Sequence, residues 1–161
     1  MTQLSQTPRL RNQVALVTGG GRGIGRAIAQ SIAAAGAVVA ITSRSADELN
    51  ETVRVIEKDR GRAVAYPADV TDAAQIQSTV SAIEASLGPI DVLVNNAGST
   101  GPLKPLLETE VSDWWRAMQV NLLGPLLCTR LVLPGMVSRR RGRIINVSSG
   151  AGTMAIPFFS S

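Results

Sequence analysis

The stretch Val14-Ala15-Leu16-Val17-Thr18-Gly19-Gly20-Gly21-Arg22-Gly23-Ile24-Gly25 decides the fold. A short unbroken apolar run stopped by glycines is the pattern of a strand buried on both faces. The segment Ile24 to Ala35 is rich in alanine, carries apolar residues at Ile24, Ala27, Ile28 and Ile32 and ends at Gly36, which predicts a helix. A buried strand, a glycine turn and a helix in immediate succession form the opening of an α/β unit.

Outward from that unit the same beat repeats. Ala37 to Thr42 predicts a second buried strand, Asp47 to Arg60 a helix stopped by Gly61, and Arg62 to Tyr66 a third strand. Thr71 is expected to cap a helix with the stripe Ile76, Val80, Ile83 and Leu87, stopped by Gly88-Pro89. Ile90 to Val94 reads as strand four. A Gly- and Pro-rich loop leads to a long helix starting near Ser112 and stopping at Pro134-Gly135, and Ile144 to Val147 reads as strand five. Strands that are apolar on both faces and alternate with helices imply a parallel sheet covered on both sides. The expected architecture is a doubly wound, Rossmann-type α/β fold, whose ligands sit beyond the C-terminal ends of the strands. Residues 1–161 are expected to form one domain, with a polar N-terminal arm over residues 1–12.

Composition narrows the chemistry. The 161 residues are 45% hydrophobic and 17% charged, enough apolar material for a sizeable core. There is no histidine, and the single cysteine, Cys128, has no internal partner. Structural zinc, secreted disulfide scaffolds and any Ser-His-Asp or Cys-His hydrolase are therefore excluded, and no metal site is expected. The net charge is +4. Its densest run, Arg139-Arg140-Arg141-Gly142-Arg143, sits between apolar segments without interleaved aromatics, so a solvated loop is expected rather than a nucleic-acid surface. The longest apolar stretch, Ile32 to Ile41, is too short to span a bilayer, and the N-terminus has no apolar targeting core. A cytoplasmic protein with no membrane partner is the expectation.

Glycines between strand and helix let the backbone turn sharply and approach a pyrophosphate, which the helix N-terminus attracts. The spacing here is T-G-x-x-x-G-x-G. NAD-binding folds place an acid at the end of strand two to hold the ribose 2′-hydroxyl. This sequence has Ile41-Thr42-Ser43-Arg44 there, and Arg22 lies inside the glycine turn. Two guanidiniums suit a 2′-phosphate, so NADP is expected over NAD.

Five motifs stand in order: Thr18 to Gly25; Asp69-Val70; Asn95-Asn96-Ala97-Gly98; Asn121 in Val120-Asn121-Leu122; and Gly142-Arg143-Ile144-Ile145-Asn146-Val147-Ser148-Ser149. Together they resemble the short-chain dehydrogenase/reductase family, especially its 3-oxoacyl-ACP reductases and glucose dehydrogenases, over about residues 12 to 161. The resemblance implies an oxidoreductase moving hydride between nicotinamide and a small carbonyl or alcohol substrate. It implies that Thr18, Gly19, Gly21, Arg22, Gly23, Ile24 and Gly25 form the phosphate turn, with Ser43 and Arg44 at the ribose. Asp69 would accept from the adenine amino group and Val70 pack beside the ring. Asn95 would brace the central strand, and Ala97-Gly98 would admit the nicotinamide ribose. Ser149 would hydrogen-bond the substrate carbonyl. Asn121 would hold a water through its backbone carbonyl. Residue 125 is proline, which has no N–H to satisfy that carbonyl and should kink the helix.

One element of the resemblance is missing. The family's Tyr-x-x-x-Lys would begin one residue past Ser161 when spaced from Ser149, and at Ser161 itself when spaced from Ser148, so Ser149 is preferred as the catalytic serine. Tyr66, Lys58 and Lys104 belong to other segments. The chain is therefore expected to be an incomplete domain, lacking C-terminal strands and inactive alone, whose parent is a homo-oligomer (dimer or tetramer). Such a chain would expose Leu122, Leu126, Leu127 and Leu131. A non-catalytic nucleotide-binding module is the alternative.

Overall fold

The computed structural model describes residues 9–152 and 156–158. The expected arm therefore lies outside the described residues over 1–8, as does Ser161. Within the described part of the arm, the Leu10 N–H donates to the Ala35 carbonyl at 2.9 Å, tying the chain to the end of the first helix.

Five parallel strands form one sheet: β1 (Val14–Thr18), β2 (Val38–Ser43), β3 (Arg62–Pro67), β4 (Ile90–Asn95) and β5 (Arg143–Asn146), in the order β3-β2-β1-β4-β5. Helices α1 (Gly23–Ala34), α2 (Ala46–Lys58) and α3 (Ala73–Leu87) make the first crossovers, and α4 (Val111–Met118) and α5 (Gly124–Ser138) the last. The doubly wound reading is correct. Strand residues alternate between two cores. Ala15, Val17, Val39 and Ile41 meet α1 and α2 through Ala29, Leu49 and Ile56, whereas Val14, Leu16 and Leu93 meet α3 and α5 through Ile76, Ile83, Cys128 and Val132. Burial pushes the Cys128 thiol up to about 11, so it packs as a small hydrophobe.

Local signals were corrected where tertiary contacts outweighed them. Helix α1 buries Gly25, Ala29 and Ala33, while Ile24 is 67% exposed. The helix lies so close to the sheet that its small residues face inward, and Ile28 and Ile32 flank them. Asp72, not Thr71, caps α3, accepting from the Ala74 and Gln75 N–H groups at 2.9 and 3.0 Å. The Thr71 hydroxyl instead donates to Asp69 Oδ1 at 2.8 Å.

Pro134 does not stop the last helix, which runs to Ser138 with Val132 and Met136 buried on either side of the proline. The irregularity expected at Pro125 takes the form of a π segment, Gln119–Leu123, between α4 and α5. Without a proline N–H, the ladder shifts and the Gly124 N–H donates to the Gln119 carbonyl. The continuous element Val111–Ser138 has 28 residues and is by length and composition long and apolar enough to cross a membrane, which no uninterrupted apolar run revealed. One stripe of it, Gly124, Cys128, Val132 and Met136, is buried against the sheet, while most of its apolar window is not. Leu122 and Leu126 on its outer face are exposed, whereas Leu127 and Leu131 are half-buried and Leu131 packs against the core.

The arginine run is not an unoccupied basic patch. Arg139 donates to the Ile90 carbonyl at 3.0 Å, and Arg141 pairs with Asp91 at 3.4 Å. Both contacts lie at the start of β4, the end of the sheet opposite its ligand-binding edge.

Candidate functional site

After β3 the chain passes over β2 and β1 to form β4, so the connections leaving the neighbouring strands β1 and β4 run to opposite faces of the sheet. This is the switch point where doubly wound folds bind ligands. An open cleft of about 650 Å³ lies there. Its wall includes Gly19, Arg22, Ser43, Arg44, Asp69, Val70, Ala97 and Gly98 of the expected residues.

The glycine turn is held from both sides. Gly19 has φ +67°, in the left-handed region, and a Cβ on Gly25 would collide with the Gly19 carbonyl oxygen and lie 2.5 Å from Asn96 Nδ2. The Asn96 amide donates to the Thr18 and Gly19 carbonyls at 2.9 and 3.4 Å, while the Thr18 hydroxyl accepts from the Asn96 and Ala97 N–H groups, each at 3.0 Å. On the other flank, Arg26 donates from Nη2 to the Gly21 carbonyl at 2.6 Å and from Nε to Thr52 Oγ1 at 2.9 Å. Thr18, Gly21 and Gly25 thus lie behind the wall as its support. Gly23 and Ile24 are exposed and do not line the cleft. Asn96 stands in the Asn95-Asn96-Ala97-Gly98 motif without a role read for it, and Arg26 and Thr52 carried no signal, since Thr52 reaches Gly21 across 31 residues.

A dinucleotide fits this cradle. The residue at the N-cap of α1, Arg22, makes no side-chain cap, and the first turn contains no acid. The first N–H groups of the helix are therefore available to an anion. Helices α2 and α3, by contrast, are capped by Ser45 and Asp72. Arg22 is 82% exposed at the cleft, and Arg44 is exposed beside it. Burial pushes the Asp69 carboxyl up. The N–H and hydroxyl of Thr71 and the nearby Arg44 and Arg116 charges outweigh it and hold the group below its ordinary value. Both Thr71 bonds end on Oδ1, leaving Oδ2 without a hydrogen bond among the described residues.

Asn95 is buried at the end of β4, where its amide donates to Asn146 Oδ1 at 2.8 Å and Thr129 Oγ1 at 3.3 Å, joining β4 to β5 and α5. Its Oδ1 is buried without a partner among the described residues. Asn121 does not line the cleft. Its side chain clamps the cleft-lining residue Ser99, accepting from the Ser99 N–H at 2.9 Å and donating to its carbonyl at 2.8 Å. Ser149 also stands outside the cleft wall, exposed beyond β5, with Oγ accepting from the Ala151 N–H at 3.2 Å. Tyr66 lies on β3, the opposite edge strand, four strand spacings or about 19 Å from β5. Its hydroxyl is 2.8 Å from Ser86 Oγ. Among the described residues no cluster of three or more His, Cys, Asp or Glu could hold a metal.

Comparisons with known proteins agree with this geometry. The short chain dehydrogenase family model matches residues 13–161. The 3-oxoacyl-[acyl-carrier-protein] reductase of Synechocystis is 40% identical over 149 residues, covering 92% of this chain and 60% of that protein. A metagenomic short-chain oxidoreductase solved in complex with NADP superposes with TM-score 0.90 at 37% identity, covering 94% of this chain and 69% of the other. An NAD+-bound xylitol dehydrogenase gives 0.90 at 30% identity, covering 94% and 58%. The chain spans about half the length of the curated relatives it matches. Sequence, sheet order and cleft agree, and the chain belongs to the short-chain dehydrogenase family.

Proposed function

We propose that the whole protein containing this chain is an NADP-dependent oxidoreductase acting on a small carbonyl or alcohol substrate. The observation that carries this reading is the uncapped N-terminus of α1, which opens onto the cleft between Arg22 and Arg44. The two solved neighbours were bound to NADP and to NAD+, so the choice of cofactor rests on this chain's own residues.

In this reading the turn from Gly19 to Gly25 takes the pyrophosphate on backbone N–H groups. Gly19 supplies its left-handed conformation and Gly25 the close approach. Arg22, Ser43 and Arg44 take the adenosine 2′-phosphate, and Asp69 takes the adenine amino group on its unbonded oxygen beside Val70. Asn95 keeps β4 rigid beneath the nicotinamide ribose, which Ala97 and Gly98 admit. A bound nicotinamide supplies or accepts the hydride. Ser149 donates its hydroxyl to the substrate oxygen. Asn121 orders the loop through Ser99 and offers its carbonyl, which Pro125 cannot satisfy, to a water.

Fluorescence titration of the whole protein tests the cofactor assignment. NADPH should bind about tenfold more tightly than NADH, the scale of one charge-assisted hydrogen bond. Ser43→Asp should reverse the order, because a carboxylate repels the phosphate and pairs with a 2′-hydroxyl. Equal affinities in the unaltered protein would overturn the NADP assignment. For the chemistry, Ser149→Ala should cost far more turnover than Ser148→Ala, and the opposite ranking would remove Ser149 from the reaction.

A further inference from the structure

We propose that Glu48 is a specificity-determining residue. It holds Arg22 while no phosphate is present and so tempers the preference of the adenosine end for a 2′-phosphate, an inference that rests on the nucleotide-binding reading above. No acid stands at the end of β2, yet the fold brings one there. Glu48 lies in the first turn of α2, and its N–H donates to Ser45 Oγ at 3.3 Å. Its carboxylate turns toward the glycine turn, with Oε1 3.9 Å from Arg22 Nε. Oε2 and Ser43 Oγ flank the outer side of Gly21, at 3.3 and 3.0 Å from where a Cβ would stand.

This placement is anchored by the backbone. Thr52, one turn further along α2, is 3.0 Å through Oγ1 from both the Gly21 and Glu48 carbonyls, and Arg26 bonds both Gly21 and Thr52. The first turns of α2 are thereby pinned to the phosphate turn, which keeps the carboxylate beside Arg22.

The consequence is electrostatic. A 2′-phosphate that recruits Arg22 must displace Glu48 and then remain within a few ångströms of its charge. A 2′-hydroxyl suffers no such repulsion and can donate to the carboxylate. The pair is exposed, so water and salt reduce the effect to a modest factor.

The test is calorimetric titration of the whole protein with adenosine 2′,5′-bisphosphate and adenosine 5′-monophosphate. Glu48→Gln should raise the ratio of the two affinities about twofold to fivefold at low salt, and the gain should shrink at high salt. In an Arg22→Ala background the same substitution should change the ratio much less. An unchanged ratio in Glu48→Gln would overturn the proposal. So would equal weakening of both ligands, the mark of a purely helix-capping role, or an undiminished gain without Arg22. Unaltered protein that fails to favour the bisphosphate would overturn the NADP reading itself, whereas discrimination that Glu48→Gln leaves untouched would remove only Glu48.

Discussion

Helices α1 and α3 both begin at the ligand-binding edge of the sheet, yet they treat their first N–H groups in opposite ways. Asp72 closes the start of α3, accepting from two backbone N–H groups and from the Gln75 side chain at 2.9 Å. At α1 the corresponding residue is Arg22, which caps nothing, and the helix is preceded by glycines. At one terminus a side chain takes the first donors, and at the other no side chain does. The surroundings match. The cradle of α1 is braced by Thr18, Arg26, Thr52 and Asn96, whereas the α3 cap is made by residues within three positions of Asp72. Support at a distance substitutes for the local cap that α1 lacks.

The largest effect should come from pushing α1 off its support. Gly25→Ala places a methyl against the Gly19 carbonyl, so the helix must move. Denaturant unfolding should show a loss of about 3 kcal/mol, with nucleotide binding abolished. A loss below about 1 kcal/mol would mean that the close contact at the turn is not required.

Next, Arg22→Asp would give α1 the kind of cap that α3 has. Nucleotide affinity should fall at least about tenfold, while the unliganded protein gains about 1 kcal/mol. Arg22→Ala should weaken 2′-phosphate binding without that gain. If the Asp variant is no more stable than the Ala variant, the donors of α1 are not free.

Asp72→Ala should cost about 1 kcal/mol in thermal or denaturant unfolding and leave nucleotide affinity unchanged. A binding defect there would break the contrast between the two termini.

The smallest effect is with pH. The Asp69 carboxyl is held below its ordinary value in the folded chain, so its contribution to stability is complete above the unfolded value of about 3.9 and is lost as pH falls through the lower folded value. Asp69→Asn should therefore flatten part of the acid limb of a stability profile and leave stability between pH 5 and 8 independent of pH. An unaltered acid limb would show that the Thr71 and arginine contacts do not bias the carboxyl.

The glycine turn, the strands and the order of the motifs were legible because each is encoded within a few residues. Apolar runs set β1 to β4, and Gly36, Gly61 and Gly88 punctuate the helices between them. The eight expected residues lining the cleft were legible for the same reason, since each sits at the C-terminal end of a strand or within four residues after it. Failures occurred where two local signals competed or a distant partner decided. Asp72 and Thr71 are both acceptable caps, and only the bond from Thr71 to Asp69 shows which one is already engaged. Pro134 carries a stop signal that the buried packing of Val132 and Met136 overrides. Asn121 was singled out for its carbonyl, and its side-chain clamp on Ser99, twenty-two residues away, was not visible.

By itself, then, the sequence determined the alternating α/β plan, the strand that carries the phosphate turn and the arginines that flank it, because strand burial and glycine geometry are local properties of the chain. Tertiary structure alone decided which face of α1 is buried, what braces the turn and that Glu48 reaches Arg22. Those contacts join residues separated by more than twenty positions, and their energies exist only once the sheet has brought the segments together.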